Sequence, residues 1–490
     1  MDNKEQALSG RLLALFTRIR GKIARINACF YHLTARDLYC VVIIIVLASV
    51  LRLPHIAFPA VTQFDELIYA DNALYLVQGI PFVDTHPPLV RMMFAEVTRF
   101  HSPFTTTRIP LGDNIPFGDF PFTAVRTFVA LFGIFLPIVI YMLGRAMKLT
   151  PRMALLPALL VALDSALTAY SRAILPDTIL LCFNFLLLAS AFMLVNANTT
   201  RRKICLIIAT GILAGLALSI KWTALGVLAC VWLLFILKKQ LRALFVVTGI
   251  AFLTYVLVFA MYLLCYFPNG GAAKNVGIEL APNYVGNIQF PPFTSLTQAI
   301  AFLPSYHKVM WQTNNDPYVL ATLQKAQGPL YWPISHPEIY FWMQPESERS
   351  SVNVPRVDVV GNFVIWVACF LAWFFNLCWI VRRWIQKRAL PIDTAEVIIM
   401  CGYVMNYLPF LLIHRQMFLY HYFTALIFLF LLTPYALPRI RLAVERITHD
   451  RVFSYVLMMF ICMLALLNFA YNIPLIYGTH SLAYYFTQSR

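Results

Sequence analysis

Residues 205–237 read CLIIATGILAGLALSIKWTALGVLACVWLLFIL, 33 residues whose apolar character is broken only at Lys221-Trp222. A single helix of that length would be about 50 Å long, against a hydrocarbon core of about 30 Å. Read as two helices, each is short but sufficient. The division also decides the parity of the chain. With one helix, either Arg201, Arg202 and Lys203 or Lys238, Lys239 and Arg242 would lie outside. Positive charge collects on the cytoplasmic side of membrane proteins, so two helices are expected, with the turn at Lys221 facing out.

Nine further apolar runs follow the same logic once this one is divided at Lys221. The predicted spans are 39–55, 122–143, 153–168, 175–196, 204–220, 222–237, 243–266, 359–381, 396–413, 417–437 and 452–473, eleven in all. With the N-terminus inside, 24 of the 38 Lys and Arg residues fall in the cytoplasmic segments. The C-terminus is then external.

Composition agrees. Of the 490 residues, 60% are apolar and 12% charged, against about 25% charged in a soluble domain. Mean hydropathy is +0.71. A soluble enzyme, a coiled coil, a disordered chain and a nucleic-acid module are excluded as descriptions of the whole. The net charge of +16 fits basic loops next to anionic lipid, so membrane lipid and not nucleic acid is the expected partner. The ten cysteines include no CxxC and none falls in 56–120 or 268–358, so neither a disulfide framework nor a zinc site is expected. No cleavable leader is visible.

The expected organisation is a cytoplasmic amphipathic segment (1–38), an N-terminal membrane module (39–266) with a first external loop at 56–121, an external cap (267–358) and a four-helix C-terminal module (359–490). Ionisable groups at membrane depth cost about 2.5–3.5 kcal/mol each on insertion scales, and here they gather on the external side. Asp65, Glu66, Asp71, Asp84 and His86 follow the first span. Arg126, Asp164, Arg172, Asp177, Lys221, His414, Arg415 and His421 stand at later external bends. An acid next to Arg and Lys at the membrane boundary suits a phosphate-linked donor whose head reacts outside while its lipid tail stays in the bilayer. A transporter would instead concentrate polar groups near the midplane, in two similar halves, and no such repeat is present.

These residues also carry a family likeness. Phe64-Asp65-Glu66, then Tyr69, Tyr75 and Asp84-Thr85-His86-Pro87-Pro88-Leu89, resembles the first external loop of protein O-mannosyltransferases, where an acidic pair precedes HPPLGK. Arg126 with Leu131-Phe132-Gly133, Ser171-Arg172 through Leu175-Pro176-Asp177, Gly215 to Trp222, Asn406 to Pro409 and Phe418-Leu419-Tyr420-His421-Tyr422-Phe423 follow in family order. Val90-Arg91 departs from the family's Gly-Lys, and Phe363 from a common proline. The loop 268–358 is too short for a β-trefoil MIR domain, which points to the bacterial type.

The resemblance implies an all-α polytopic fold of the GT-C glycosyltransferase kind, with about 11 transmembrane helices and an external loop layer. It implies inverting transfer of mannose or a related hexose from a polyprenyl-phosphate sugar to Ser or Thr of a secreted protein, without a metal or other cofactor. A polyprenyl-phosphate-sugar transferase acting on lipid A or another envelope lipid is the alternative. The expected setting is the bacterial inner membrane, with the site periplasmic. Asp65 is expected to act as base, with Glu66 supporting it. Arg126, Arg172, Lys221 and Arg415 are expected around the donor phosphate, and His86, Tyr420 and His421 as groups that orient substrate.

Overall fold

The computed structural model describes residues 34–110, 112, 114–274, 288–315, 328–344, 354–387, 392–413 and 417–480. The expected amphipathic segment falls, up to residue 33, outside them, as do His414 and Arg415.

Every predicted apolar run contains a helix. They are α1 (Ala35–Arg52), α4 (Phe122–Ala146), α5 (Pro151–Leu163), α7 (Asp177–Val195), α8 (Thr200–Leu218), α9 (Leu225–Leu237), α10 (Leu241–Tyr266), α12 (Phe363–Lys387), α13 (Thr394–Leu411), α14 (Phe423–Thr448) and α15 (Arg451–Tyr477). Seven are long and apolar enough to cross a membrane by length and composition, and α5 and α9 are apolar but shorter. The other two, α1 and α8, carry charges in their end turns: Arg36, Asp37 and Arg52 in α1, and Arg201, Arg202 and Lys203 in α8. Local chemistry sets many of the starts. Thr34 and Asp37 form a capping box on α1. Thr150, Thr199, Asp393 and Asp450 cap α5, α8, α13 and α15 with their side-chain oxygens.

The 205–237 run divides where the sequence predicts. Helix α8 ends at Leu218, Lys221 is extended (φ −150°, ψ 144°), and a 3₁₀ turn at Trp222–Ala224 leads into α9. The run 153–196 breaks in the same way. Asp164 is extended and caps the short α6 (Ser165–Tyr170), and α7 opens at Asp177.

The loops at these breaks gather at one end of the bundle. The first loop contributes α2 (Glu66–Gln78) and α3 (Leu89–Phe100). The second contributes α11 (Leu296–Asn314) and two small antiparallel sheets: β1 (Gly271–Ala272) with β2 (Gln289–Phe290), and β3 (Ile339–Met343) with β4 (Arg356–Val359). A bridge from Phe82 to Lys274 ties the two loops together, and the Phe64 N–H donates to the Phe341 carbonyl at 3.2 Å. The apolar core runs continuously through α4, α7, α9 and α14 to this layer.

Candidate active site

Helix α2 begins at the acidic pair, and the two acids have opposite environments. Glu66 is fully buried. Arg126, from the first turn of α4, donates to it through Nε (2.8 Å) and Nη2 (2.6 Å), and the N–H groups of Gln63 and Ile174 add bonds of 3.0 and 2.8 Å. A carboxylate so occupied has no lone pair left for a substrate proton. Arg126 is equally committed. Its other three N–H groups reach the carbonyls of Pro59 (2.7 Å), Val61 (3.0 Å) and Ile56 (3.4 Å). Since a guanidinium has five N–H donors, none remains for a phosphate.

Glu66 is thus placed as the partner of an arginine, in support and not as a base, and the expectation of a phosphate-binding Arg126 is corrected: together they fasten the first loop to α4. Arg172, expected at the donor phosphate, is also anchored to backbone, here through three hydrogen bonds. It donates to the carbonyls of Arg52, Pro54 and His55 at 2.8, 2.7 and 3.0 Å, and its guanidinium lies 4.6 Å from the centre of the Tyr477 ring. It holds the chain leaving α1 and pairs with neither Asp164 nor Asp177.

Asp65 is left over. It is half-buried, and its carboxylate has no hydrogen bond or ion pair among the described residues. Phe64, just before it, has φ +48°. A bulky residue in this left-handed region costs about 1–3 kcal/mol and persists only where its surroundings enforce it. Here the Phe64 ring stacks on Phe341 (5.4 Å) and meets Phe418 edge-on (5.1 Å). Burial, opposed by Lys221 and reinforced by Asp177 and Asp84, pushes the Asp65 carboxyl up to about 6.

Two of those charges, Asp177 and Lys221, line a cavity of about 440 Å³, with Trp222, Asn406, Tyr420 and His421 among others. Lys221 donates to both Asp177 oxygens at 2.8 Å and stands 4.8 Å from the centre of the Tyr420 ring. Tyr170 adds a 2.8 Å bond to Asp177. The His421 Nδ1 lies 3.0 Å from the Phe418 carbonyl, and the ring stacks on Tyr420 at 4.3 Å. Gly226 lets Asn406 in, since a Cβ there would lie 2.3 Å from the Asn406 Oδ1. The structure thus brings Asp65, Lys221, Tyr420 and His421 into one neighbourhood. The backbone N–H of His86 is bound to Asp84 (2.9 Å).

The sequence reading did not place three of these relationships. Asp177 is the partner of Lys221, 44 positions away. Arg91 forms a 2.6 Å ion pair with Asp84, at one of the positions that depart from the HPPLGK pattern. Phe341 joins the cluster from the second loop. Only the first left a signal, since Asp177 and Lys221 fall at external bends of the predicted topology.

The family model described as dolichyl-phosphate-mannose–protein mannosyltransferase matches residues 42–269. The model for the C-terminal four-transmembrane region of protein O-mannosyltransferases matches 301–490. Dolichyl-phosphate-mannose–protein mannosyltransferase 1 of Saccharomyces cerevisiae is 31% identical over 250 residues, covering 48% of this chain and 30% of that protein. Human protein O-mannosyl-transferase 1 is 28% identical over 160 residues, covering 31% and 21%. The matched part is thus less than a third of these relatives. In three dimensions the chain is similar to the S. cerevisiae Pmt1–Pmt2 complex bound to the sugar donor, with a TM-score of 0.71 at 18% identity, covering 93% of this chain and 92% of that one. The Archaeoglobus fulgidus oligosaccharyltransferase tethered to an acceptor peptide gives 0.51 at 12% identity, covering 92% and 56%.

Proposed function

The chain belongs to the dolichyl-phosphate-mannose–protein mannosyltransferase family, and from that premise we propose that it moves mannose, or a related hexose, from a polyprenyl-phosphate donor to Ser or Thr hydroxyls of secreted proteins. Transfer takes place on the outer face of a bacterial inner membrane, with the N-terminus cytoplasmic. The observation that carries the reading is a carboxylate, Asp65, with no hydrogen bond or ion pair among the described residues, electrostatically coupled to the Lys221–Asp177 pair lining the cavity.

The acceptor hydroxyl oxygen attacks the anomeric carbon from the side opposite the phosphate. The new C–O bond forms as the bond from carbon to the phosphate oxygen breaks, so the configuration inverts. The hydroxyl proton passes to Asp65, which needs to lie within about 2.6–3.2 Å of it. The polyprenyl phosphate leaves with the bonding electrons. Lys221 makes two of its hydrogen bonds to Asp177, and its charge offsets the growing charge on the phosphate. In this reading no metal takes part. Glu66, Asp84 and Asp177 are each already bound to a cation: Arg126, Arg91 and Lys221. Tyr420 and His421 border the sugar, and Arg415 and His86 are further contacts to substrate.

The test is transfer in membranes from a labelled polyprenyl-phosphate mannose. Label on a Ser/Thr peptide supports the reading. Label confined to lipid A would replace it with the envelope-lipid alternative.

A further inference from the structure

Strand β3 alternates buried Ile339, exposed Tyr340 and buried Phe341, but its register with β4 slips. Tyr340 pairs with Asp358 and Trp342 with Val357, so Phe341 is the extra residue of a bulge. A bulge takes one residue out of the ladder and re-aims it. Here the Phe341 carbonyl accepts the Phe64 N–H at 3.2 Å, and its ring stacks on Phe64 with planes 12° apart. Phe341 also lies 5.7 Å from Tyr170, which bonds Asp177. Phe64 holds φ +48° directly before Asp65, whose own carboxylate has no hydrogen-bond partner among the described residues to aim it.

We propose that Phe341 is a positioning residue for Asp65: the β3 bulge clamps Phe64 in its left-handed conformation and so fixes where the Asp65 carboxylate stands relative to the Lys221–Asp177 pair. The second external loop thereby completes the reaction centre of the first. The inference rests on the reading of Asp65 as base. Phe341 touches no reacting atom, and its effect runs through Phe64.

A double-mutant cycle in the full-length, membrane-embedded protein tests this. Phe341→Ala lowers kcat by about ten- to a hundred-fold, the range for a misplaced reacting group, with the donor KM within two-fold of wild type. Phe341→Leu, which keeps most of the buried bulk, restores at least part of kcat. In an Asp65→Asn background, Phe341→Ala causes no further loss, because there is no base left to misplace. An equal loss in both backgrounds overturns the positioning role, as does a Phe341→Ala enzyme with wild-type kcat. If Phe341→Ala does not fold, the cycle is run with Phe341→Val, which removes the ring stacked on Phe64 but keeps a residue suited to a strand, and is read the same way. Full activity in Asp65→Asn alone overturns the base assignment, and this inference with it. That outcome is separate from the additive result, which removes only Phe341.

Discussion

Arg126 lies bidentate on Glu66, at 2.8 and 2.6 Å, and neither side chain has any exposed surface. Truncating one partner of such a pair strands the other charge, at a cost of about 3–5 kcal/mol. Arg126→Gln and Glu66→Gln should therefore both lower the melting temperature of the detergent-solubilised protein markedly. A stable Arg126→Gln protein with a raised donor KM would return this residue to the phosphate.

Lys221 is the cation that lines the cavity among the described residues. Its replacement by Gln should weaken donor use by about 1.5–3 kcal/mol, the range for hydrogen bonds to charged groups. The loss should appear in donor KM or in binding of the polyprenyl phosphate itself. Unchanged donor dependence would remove Lys221 from the phosphate site.

The sequence made the helices legible because apolar length and charged breaks act locally. The break at Lys221 could be placed from helix length and flanking charge, and the acidic pair at 65–66 from its position after the first span and its family likeness. The arginines could not, because their partners are backbone carbonyls. Arg126 binds carbonyls of residues 56, 59 and 61, and Arg172 those of 52, 54 and 55. Any residue type supplies a carbonyl, so no side-chain pattern announces it. The roles of Asp65 and Glu66 diverge for a similar reason. They are neighbours in sequence, but only one points at an arginine 60 positions on.

The elevated Asp65 carboxyl gives a pH signature. A base must be ionised, so with its value near 6 the rate should climb as pH rises through about 6 and fall away below it. The effect on stability has the opposite sign. The folded value exceeds the ordinary 3.8, so the folded protein favours the protonated form and loses stability as pH rises from 4 through 6. Asp65→Asn should accordingly melt higher than wild type at pH 7.5, with the difference vanishing below pH 4. An acid limb unmoved from pH 4 would contradict this environment.

The clustering of Lys and Arg predicts the orientation. Reporter fusions after Lys239 and after Gly478 should report opposite sides, the first cytoplasmic and the second external. Finding both on one side would refute the eleven-span arrangement.

In the proposed mechanism Asp65 takes the acceptor proton. Asp65→Asn keeps size and hydrogen-bonding capacity but removes the base. The decisive measurement is the initial rate of mannosyl transfer from labelled polyprenyl-phosphate mannose to a Ser/Thr peptide, with donor binding measured on the same membranes. The expected rate is about 10²–10⁴ lower, with donor binding retained. A variant that transfers at near the wild-type rate would contradict it.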